Sequence, residues 1–145
     1  MRGSRAVRIV LDTNALVQAA LSPHGPASVI IGLVLARSLY LLVDDRILDE
    51  YDDVLSRKSL GFDPVDVRKL IERVRRVGEP VVAHGLPGGS KGFPDGDDVA
   101  FLEIAVSGKA DALVTSNLKH FPERLRCGMT VLTPVDFVKT FIRIG

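Results

Sequence analysis

With 145 residues, of which 46% are hydrophobic and 26% charged, the chain has the size and composition of one folded globular domain, which excludes an intrinsically disordered protein. A formal net charge of +1 excludes a uniformly basic nucleic-acid binder, although not a local basic patch. The lone cysteine, Cys127, excludes an intrachain disulfide and a cysteine-based zinc site, and is interpreted as a small buried hydrophobic residue.

The first half of the chain alternates apolar runs with helical patterns, which predicts βαβ units. The run at 7–11 is apolar enough for a strand that is buried on both faces of a parallel sheet. Asp63 and Pro64 are the cap and first-turn residues of a helix with an apolar stripe through Val77. The elements predicted here are a strand at 7–11, helices at 15–21 and 27–37, a strand at 39–43, a helix at 47–57 and the helix that follows Asp63.

The second half continues the same alternation after a short edge strand at 80–83. A loop rich in glycine and proline, predicted to be exposed, occupies 84–96. It precedes a helix that is capped by Asp97 or Asp98 and runs to 106, strands at 112–115 and 130–132, and a last helix from Pro134 to 142. The pattern predicts a single α/β domain over 1–145, with its core at about 7–142 and a mostly parallel sheet of four to five strands flanked by helices on both faces.

Nothing in the sequence predicts a membrane protein. The N-terminus has no signal-peptide pattern, and the longest apolar-rich stretch, 29–43, is too short to cross a bilayer. A cytoplasmic location is therefore expected. Met1 to Ser4 are interpreted as either a native lead-in or a remnant of cloning.

Asp12 comes directly after the first predicted strand, where open α/β sheets bind ligands. A carboxylate in that place loses hydration and needs a cation or hydrogen-bond donors. Because Asp is also a preferred helix N-cap, position alone divides the two interpretations evenly. Asn117 follows the strand at 112–115 in the same topological place, although Ser and Asn are also ordinary turn residues.

Two further groups of acids are candidates. In the helix at 47–57, Glu50 and Asp52 lie on the two flanks of the apolar stripe, and periodicity does not choose between them; a solvated acidic face is the simpler interpretation. In the second group Asp98 lies on the inward side of the following helix and Asp97 points away, although a cap and a turn would also explain acids there.

Clustered carboxylates repel one another without a cation, and carboxylate and water oxygens are the ligands that Mg²⁺ and Mn²⁺ prefer. Such an ion activates a water molecule and neutralises charge on a phosphate, which favours phosphodiester hydrolysis. A polynucleotide also needs basic groups around an acidic centre. A solvated amphipathic face is the simpler interpretation of the basic helix after Asp63, but the candidates for this role are Arg68, Lys69, Arg73, Arg75, Arg76, Lys91 and Lys119.

Other enzyme classes fit less well. The first strand is not followed by the G-x-G-x-x-G turn of dinucleotide binders, and the loop at 85–92 does not fit the phosphate-loop pattern. A phosphatase of the haloacid dehalogenase type would place a second Asp two residues after Asp12, where this chain has Asn14. The histidines show no zinc spacing and are interpreted as surface or turn residues; they are His24, His84 and His120.

Four motifs in order resemble a PIN-domain ribonuclease of the VapC-like toxin type, over essentially the whole chain. They are Ile9-Val10-Leu11-Asp12-Thr13-Asn14, Ile47-Leu48-Asp49-Glu50-Tyr51, Pro94-Asp95-Gly96-Asp97-Asp98-Val99-Ala100-Phe101-Leu102 and Ala110-Asp111-Ala112-Leu113-Val114-Thr115-Ser116-Asn117. The resemblance implies a PIN-like fold and a ribonuclease dependent on Mg²⁺ or Mn²⁺. It assigns metal binding and catalysis to Asp12, Glu50 and Asp98, which decides between Glu50 and Asp52. It also implies supporting polar roles for Asn14 and Thr115, and Asp97 and Asn117 are further candidates for such a role. The candidates for RNA contact are basic residues chosen for their charge: Arg68, Arg75, Arg76, Lys91 and Lys119.

The chain departs from the family at one position. Many PIN domains have a fourth acid where this chain has Asn117, so a second metal ion is expected to bind more weakly. One branch of the family has a motif that closely resembles 115–122, and the Asn therefore does not imply an inactive protein. The resemblance also implies a small antitoxin partner and a homodimer. The competing hypothesis is a PIN-like scaffold that binds RNA or protein without cleaving it.

Overall fold

The computed structural model describes residues 6–142; Met1 to Ser4 lie outside this range. Its sheet has five strands: β1 (Arg8–Leu11), β2 (Tyr40–Val43), β3 (Glu79–Pro80), β4 (Ala112–Val114) and β5 (Val131–Leu132). The α-helices are α1 (Thr13–Leu21), α2 (Pro26–Leu35), α3 (Asp45–Leu55), α4 (Pro64–Val77), α5 (Val99–Ser107) and α6 (Pro134–Phe141). The predicted single α/β domain is confirmed.

The sheet is parallel, with strand order β3-β2-β1-β4-β5. Ile9 of β1 pairs with Leu41 of β2 on one side and Ala112 of β4 on the other. From β1 the chain moves outward to β2 and β3, and it then crosses back to β4. The strand order therefore reverses beside β1, and the carboxyl ends of β1 and β4 form the edge where open α/β sheets bind ligands.

Helices cover both faces of this sheet. Helices α1, α4 and α6 each contact α2, whereas α5 packs on β1, β2 and β4. Because the β3-to-β4 connection runs in the reverse direction, a right-handed crossover places α5 on the other face from α1 and α2. Helix α3 contacts α1, α4 and α5, so it joins the two layers. The result is an α/β/α sandwich.

The apolar runs identified in the sequence form the core. β1, β2 and β4 are buried almost completely, as expected for strands covered on both faces. Tyr51 of α3 and Phe101 of α5 are buried together, with ring centroids 6.2 Å apart. This aromatic pair lies below the carboxyl end of β1, because the Tyr51 hydroxyl donates a hydrogen bond to the Leu11 carbonyl.

Several details differ from the sequence predictions. The edge strand has only two residues, Glu79–Pro80, and Leu86 in the predicted exposed loop is buried. Cys127 is exposed, not buried, because it lies in a turn where its φ is +54°. Short 3₁₀ turns at Lys58–Leu60, Gly96–Asp98, Leu118–His120 and Glu123–Leu125 were not predicted, since a three-residue turn has no apolar periodicity to detect.

No single helix within residues 6–142 is long and apolar enough to cross a membrane. Helices α1 and α2 reach the length and apolar composition of a membrane span only when they are taken together, and the chain bends by 101° between them.

Candidate metal centre

Asp12 lies at the carboxyl end of β1 and is 2% exposed. Its backbone is at the N-cap position of α1, but its side chain makes no capping hydrogen bond. One carboxylate oxygen, Oδ2, instead accepts a hydrogen bond of 2.7 Å from the Thr115 hydroxyl at the end of β4. The side chain therefore faces the carboxyl edge of the sheet and does not cap α1.

Asp98 is the inward-facing acid of its group, and it is 6% exposed. The backbone amide of Asp97 donates to Asp95 Oδ1 at 2.9 Å, so Asp95 caps the short turn over Gly96–Asp98. Asp98 stands at the N-cap position of α5 without a side-chain capping bond. The prediction that Asp97 or Asp98 caps this helix is therefore wrong for the side chains, because Asp95 already supplies the cap and Asp98 turns inward.

His120 stands beside Asp98, with its Nδ1 3.0 Å from Asp98 Oδ2. A 3₁₀ turn over Leu118–His120 brings it there, and the Asn117 side chain caps this turn by accepting from the Lys119 amide. Single ligand atoms of Asp12, Asp98 and His120 all lie within 4.8 Å of one another. We call these three residues the metal cluster.

The interpretation of His120 as a surface or turn residue is therefore incomplete. The imidazole does follow a turn, but it is half-buried against two carboxylates, whereas His24 and His84 are exposed. The signals in the sequence are its position three residues after Asn117, which follows a strand that neighbours β1, and its place in the 115–122 motif noted above. Neither signal predicts the contact with Asp98, because the contact depends on the turn.

Glu50 belongs to the same cleft but not to the metal cluster. It is half-buried on α3, directly before Tyr51, whose hydroxyl holds α3 to the end of β1. Asp52, the alternative that periodicity left open, is exposed and accepts a hydrogen bond from the Ser56 hydroxyl. A cleft of about 190 Å³, which we call the acidic cleft, is lined by Asp12, Thr13, Asn14, Glu50, Val54, Arg57, Asp95, Asp97, Asp98 and His120.

Burial raises the pKa values of the acids in this cleft, and neighbouring carboxylates add to the shift for Asp98 and Glu50. Burial raises the pKa of Asp12, and the hydrogen bond from Thr115 opposes that shift. Burial and the neighbouring Asp12 raise the pKa of Asp98 to about 7. The pKa of Glu50 is raised by partial burial and by Asp97. Each shift has the sign expected when a carboxylate is removed from water or placed beside a like charge.

Some of the other predicted site residues line the acidic cleft and others do not. Asn14 and Asp97 line the acidic cleft, and Thr115 is fully buried behind Asp12. Asn117 is not among the lining residues, since its side chain caps the turn that carries His120.

The basic residues predicted to contact RNA are all exposed, and none lines the acidic cleft. Lys91 is in the loop before α5, and Lys119 is next to His120. Arg68 and Arg75 project from α4; Arg76 lines a separate pocket with Arg8 and Arg37. The cation that does line the cleft is Arg57, which sequence reasoning missed because it ends a predicted helix without a distinguishing pattern.

The residues of the cluster fit a divalent cation. Thr115 holds one oxygen of Asp12 in place, as a neighbouring hydrogen-bond donor does for a metal-binding carboxylate. Among the described residues, the buried Asp98 Oδ2 and His120 Nδ1 have no hydrogen-bond partner of acceptable geometry. Two carboxylates and an imidazole with free lone pairs are a common donor set for divalent metals.

Comparison with known proteins agrees with this arrangement. Residues 8–119 match the family described as PIN domain, a range that includes β1, the acids of the cleft and the end of β4. No curated protein matches the chain. Because the family match covers well over half of the sequence and the described fold is the α/β/α sandwich implied by the motifs, this chain belongs to the PIN domain family.

Proposed function

We propose that this protein is a metal-dependent endoribonuclease that hydrolyses RNA phosphodiester bonds. The observation that carries the proposal is the convergence of Asp12 and Asp98, with Glu50, in one cleft at the carboxyl edge of the sheet. Membership of the PIN family supports it, since PIN domains are generally nucleases. The raised pKa values of the three acids support it further, because perturbed carboxylates in a cleft are typical of functional sites.

In this mechanism Asp12 and Asp98 hold a divalent cation, Mg²⁺ or Mn²⁺. When bound, the cation lowers the pKa of a water molecule and offsets the charge that develops on the phosphate. Thr115 keeps the Asp12 carboxylate oriented toward the cleft. Glu50, outside the metal cluster and with a raised pKa, receives the proton of the attacking water. Arg57 offers positive charge to the RNA backbone on the same cleft wall.

The more specific role that we propose is that of the toxin in a toxin–antitoxin pair, with a homodimer as its assembly. In this role a basic side chain of a small antitoxin pairs with the carboxylates of the acidic cleft, because Arg–carboxylate hydrogen bonds are strong and directional. Co-purification with the product of a neighbouring gene tests the partner, and a single partner-free species after co-expression would contradict it. Sedimentation tests the dimer.

A non-catalytic scaffold is the second candidate, and Asn117 is the observation that favours it. An amide contributes no negative charge, and here it caps a turn instead of lining the cleft. A scaffold of this kind would bind RNA or protein through the same cleft without hydrolysis.

The test is cleavage of a labelled single-stranded RNA with Mn²⁺ or Mg²⁺, by wild type, Asp12→Asn and Asp52→Asn. Asp52 is the matched control, because it is an exposed acid that does not line the cleft. We expect cleavage by wild type and Asp52→Asn, and its loss in Asp12→Asn and in EDTA. Equal cleavage by Asp12→Asn would contradict the mechanism, and no cleavage of any RNA by wild type would favour the scaffold.

A further inference from the structure

His120 and Asp98 present an unusual pair of buried atoms. Nδ1 of His120 and Oδ2 of Asp98 are 3.0 Å apart, and each is shielded from solvent. Within residues 6–142 neither has a hydrogen-bond partner of acceptable geometry, and the two groups form an ion pair only when the imidazole is protonated. Asp98 is more than nine-tenths buried and is aimed at His120. Buried polar atoms without a partner cost free energy, which suggests that both atoms bind a common third group.

The third member of the cluster indicates what that group is. One ligand atom of each of Asp12, Asp98 and His120 lies within 4.8 Å of the other two, and Thr115 orients the Asp12 carboxylate from behind. Two carboxylate oxygens and one imidazole nitrogen that converge from three different chain segments suit a small divalent cation. These atoms can act as acceptors, so the matching ligand carries positive charge or hydrogen-bond donors, and a small divalent cation can contact all three side chains at once.

The imidazole also bears on which cation is preferred. Mg²⁺ takes oxygen ligands in nearly ideal octahedral geometry and keeps several waters. Imidazole nitrogen suits first-row transition ions, for which affinity generally rises from Mn²⁺ through Co²⁺ to Cu²⁺. A site of oxygen ligands alone would discriminate less between these ions and Mg²⁺.

We propose that His120 is a ligand of the cation through Nδ1, so that the cluster selects Mn²⁺ and later first-row ions over Mg²⁺. This proposal rests on the proposed function, because it uses the same metal site, and it adds a ligand and an ion preference to it. Asn117 serves as a positioning residue, since its capping bond to the Lys119 amide fixes the turn that carries the imidazole. Asn117, which stands where many PIN domains have a fourth acid, thus holds the His120 imidazole in place.

The experiment uses Mn²⁺ bound to the full-length protein in which all histidines carry ¹⁵N, compared with unlabelled protein by pulsed electron paramagnetic resonance. We expect a nitrogen coupling to Mn²⁺ that changes with the label and is lost in His120→Ala. His24→Ala is the matched control, because His24 is exposed and does not line the acidic cleft. The comparison of labelled and unlabelled wild type needs no variant, so misfolding of His120→Ala would not affect it.

Titration calorimetry measures the selectivity of the site for Mn²⁺ over Mg²⁺. In His120→Ala we expect Mn²⁺ affinity to fall about 10-fold or more and Mg²⁺ affinity to change by less than about 3-fold, since a direct ligand of the transition ion is lost. An equal fall for both ions would assign His120 a purely structural role and overturn the proposal. Mn²⁺ bound to wild type without histidine coupling would also overturn it, while leaving the nuclease proposal intact. Failure of wild type to bind either ion would overturn both.

Discussion

The hydroxyl of Thr115 donates a 2.7 Å hydrogen bond to Asp12 Oδ2, joining the carboxyl ends of β4 and β1 across 103 positions of sequence. The same hydroxyl oxygen accepts a hydrogen bond of 3.1 Å from the backbone amide of Asn117. One side chain therefore fixes both a carboxylate of the metal cluster and the start of the turn that carries His120. Because both contacts are short-range and directional, a change of this hydroxyl affects two members of the cluster at once.

Replacement of Thr115 by Val is expected to lower Mn²⁺ affinity by roughly 10-fold, the lower end of the effects seen when a hydrogen-bond partner of a metal ligand is removed. Thr115→Ser keeps the hydroxyl and is expected to bind Mn²⁺ within about 3-fold of wild type, by the same reasoning. Calorimetric titration measures both. Equal affinity in wild type and Thr115→Val would show that Asp12 needs no orientation by Thr115.

Glu50→Gln is expected to lower kcat by about 10²-fold or more, the usual contribution of a general base, while Mn²⁺ affinity changes by less than about 3-fold. We expect a loss of kcat without a loss of Mn²⁺ affinity because Glu50 lines the cleft but lies outside the metal cluster. Asp52→Asn is the control on the same helix. A large loss of Mn²⁺ affinity in Glu50→Gln would instead make Glu50 a ligand.

Much of the fold could be predicted from the sequence, because its signals are local. Apolar runs of four to five residues marked β1, β2 and β4, and the Asp63–Pro64 pair marked the start of α4, where Asp63 does cap the helix through the Val65 amide. Asp12 could be chosen as a candidate because its place follows from topology alone. Resemblance was needed for Glu50, since helical periodicity placed it and Asp52 symmetrically about the stripe.

The parts that could not be predicted depend on contacts between distant segments. His120 reaches Asp98 only because Asn117 caps a three-residue turn, and neither feature leaves a periodic pattern. The capping prediction failed at Asp98 for a similar reason: Asp95, Asp97 and Asp98 are chemically equivalent in sequence, and only the loop geometry decides which one caps the turn.

The metal-free protein is expected to lose stability as pH rises from about 4 to 7. Burial and Asp12 raise the pKa of Asp98 to about 7, so the folded state binds this proton more tightly than the unfolded state, whose Asp has a pKa of about 3.9. The stabilising contribution of the protonated group is complete below pH 4 and is lost as pH passes through the folded value.

Asp98→Asn removes this dependence, so in EDTA at pH 8 its melting temperature is expected to exceed that of wild type by several degrees, at roughly 2–4 °C per kcal/mol for a domain of this size. Scanning calorimetry at pH 4 and pH 8 measures the difference, which should be smaller at pH 4. Saturating Mn²⁺ should stabilise wild type and not the variant. A wild type whose stability rises between pH 4 and 8 in EDTA would contradict the expectation.

Tyr51→Phe is expected to lower the free energy of unfolding by about 1–3 kcal/mol, because the buried Leu11 carbonyl loses its hydroxyl donor. Urea unfolding measures it. Tyr40→Phe is the matched control, since Tyr40 is 40% exposed and its change should stay within about 0.5 kcal/mol. Equal stability of both variants would show that the hydroxyl bond between α3 and β1 contributes little.

Arg57→Ala is expected to weaken RNA binding because Arg57 lines the acidic cleft, with its guanidinium 3.8 Å from Asp53 and more than half exposed. Loss of one phosphate contact should reduce the slope of log affinity against log salt by about 0.7 for single-stranded RNA. In a Glu50→Gln background, in which cleavage is slow, fluorescence anisotropy at several salt concentrations measures that slope. Arg76→Ala is the matched control, because Arg76 lines a different pocket with Arg8 and Arg37. A reduced slope in Arg76→Ala and an unchanged slope in Arg57→Ala would mean that RNA follows the basic face of α4 instead of the cleft wall.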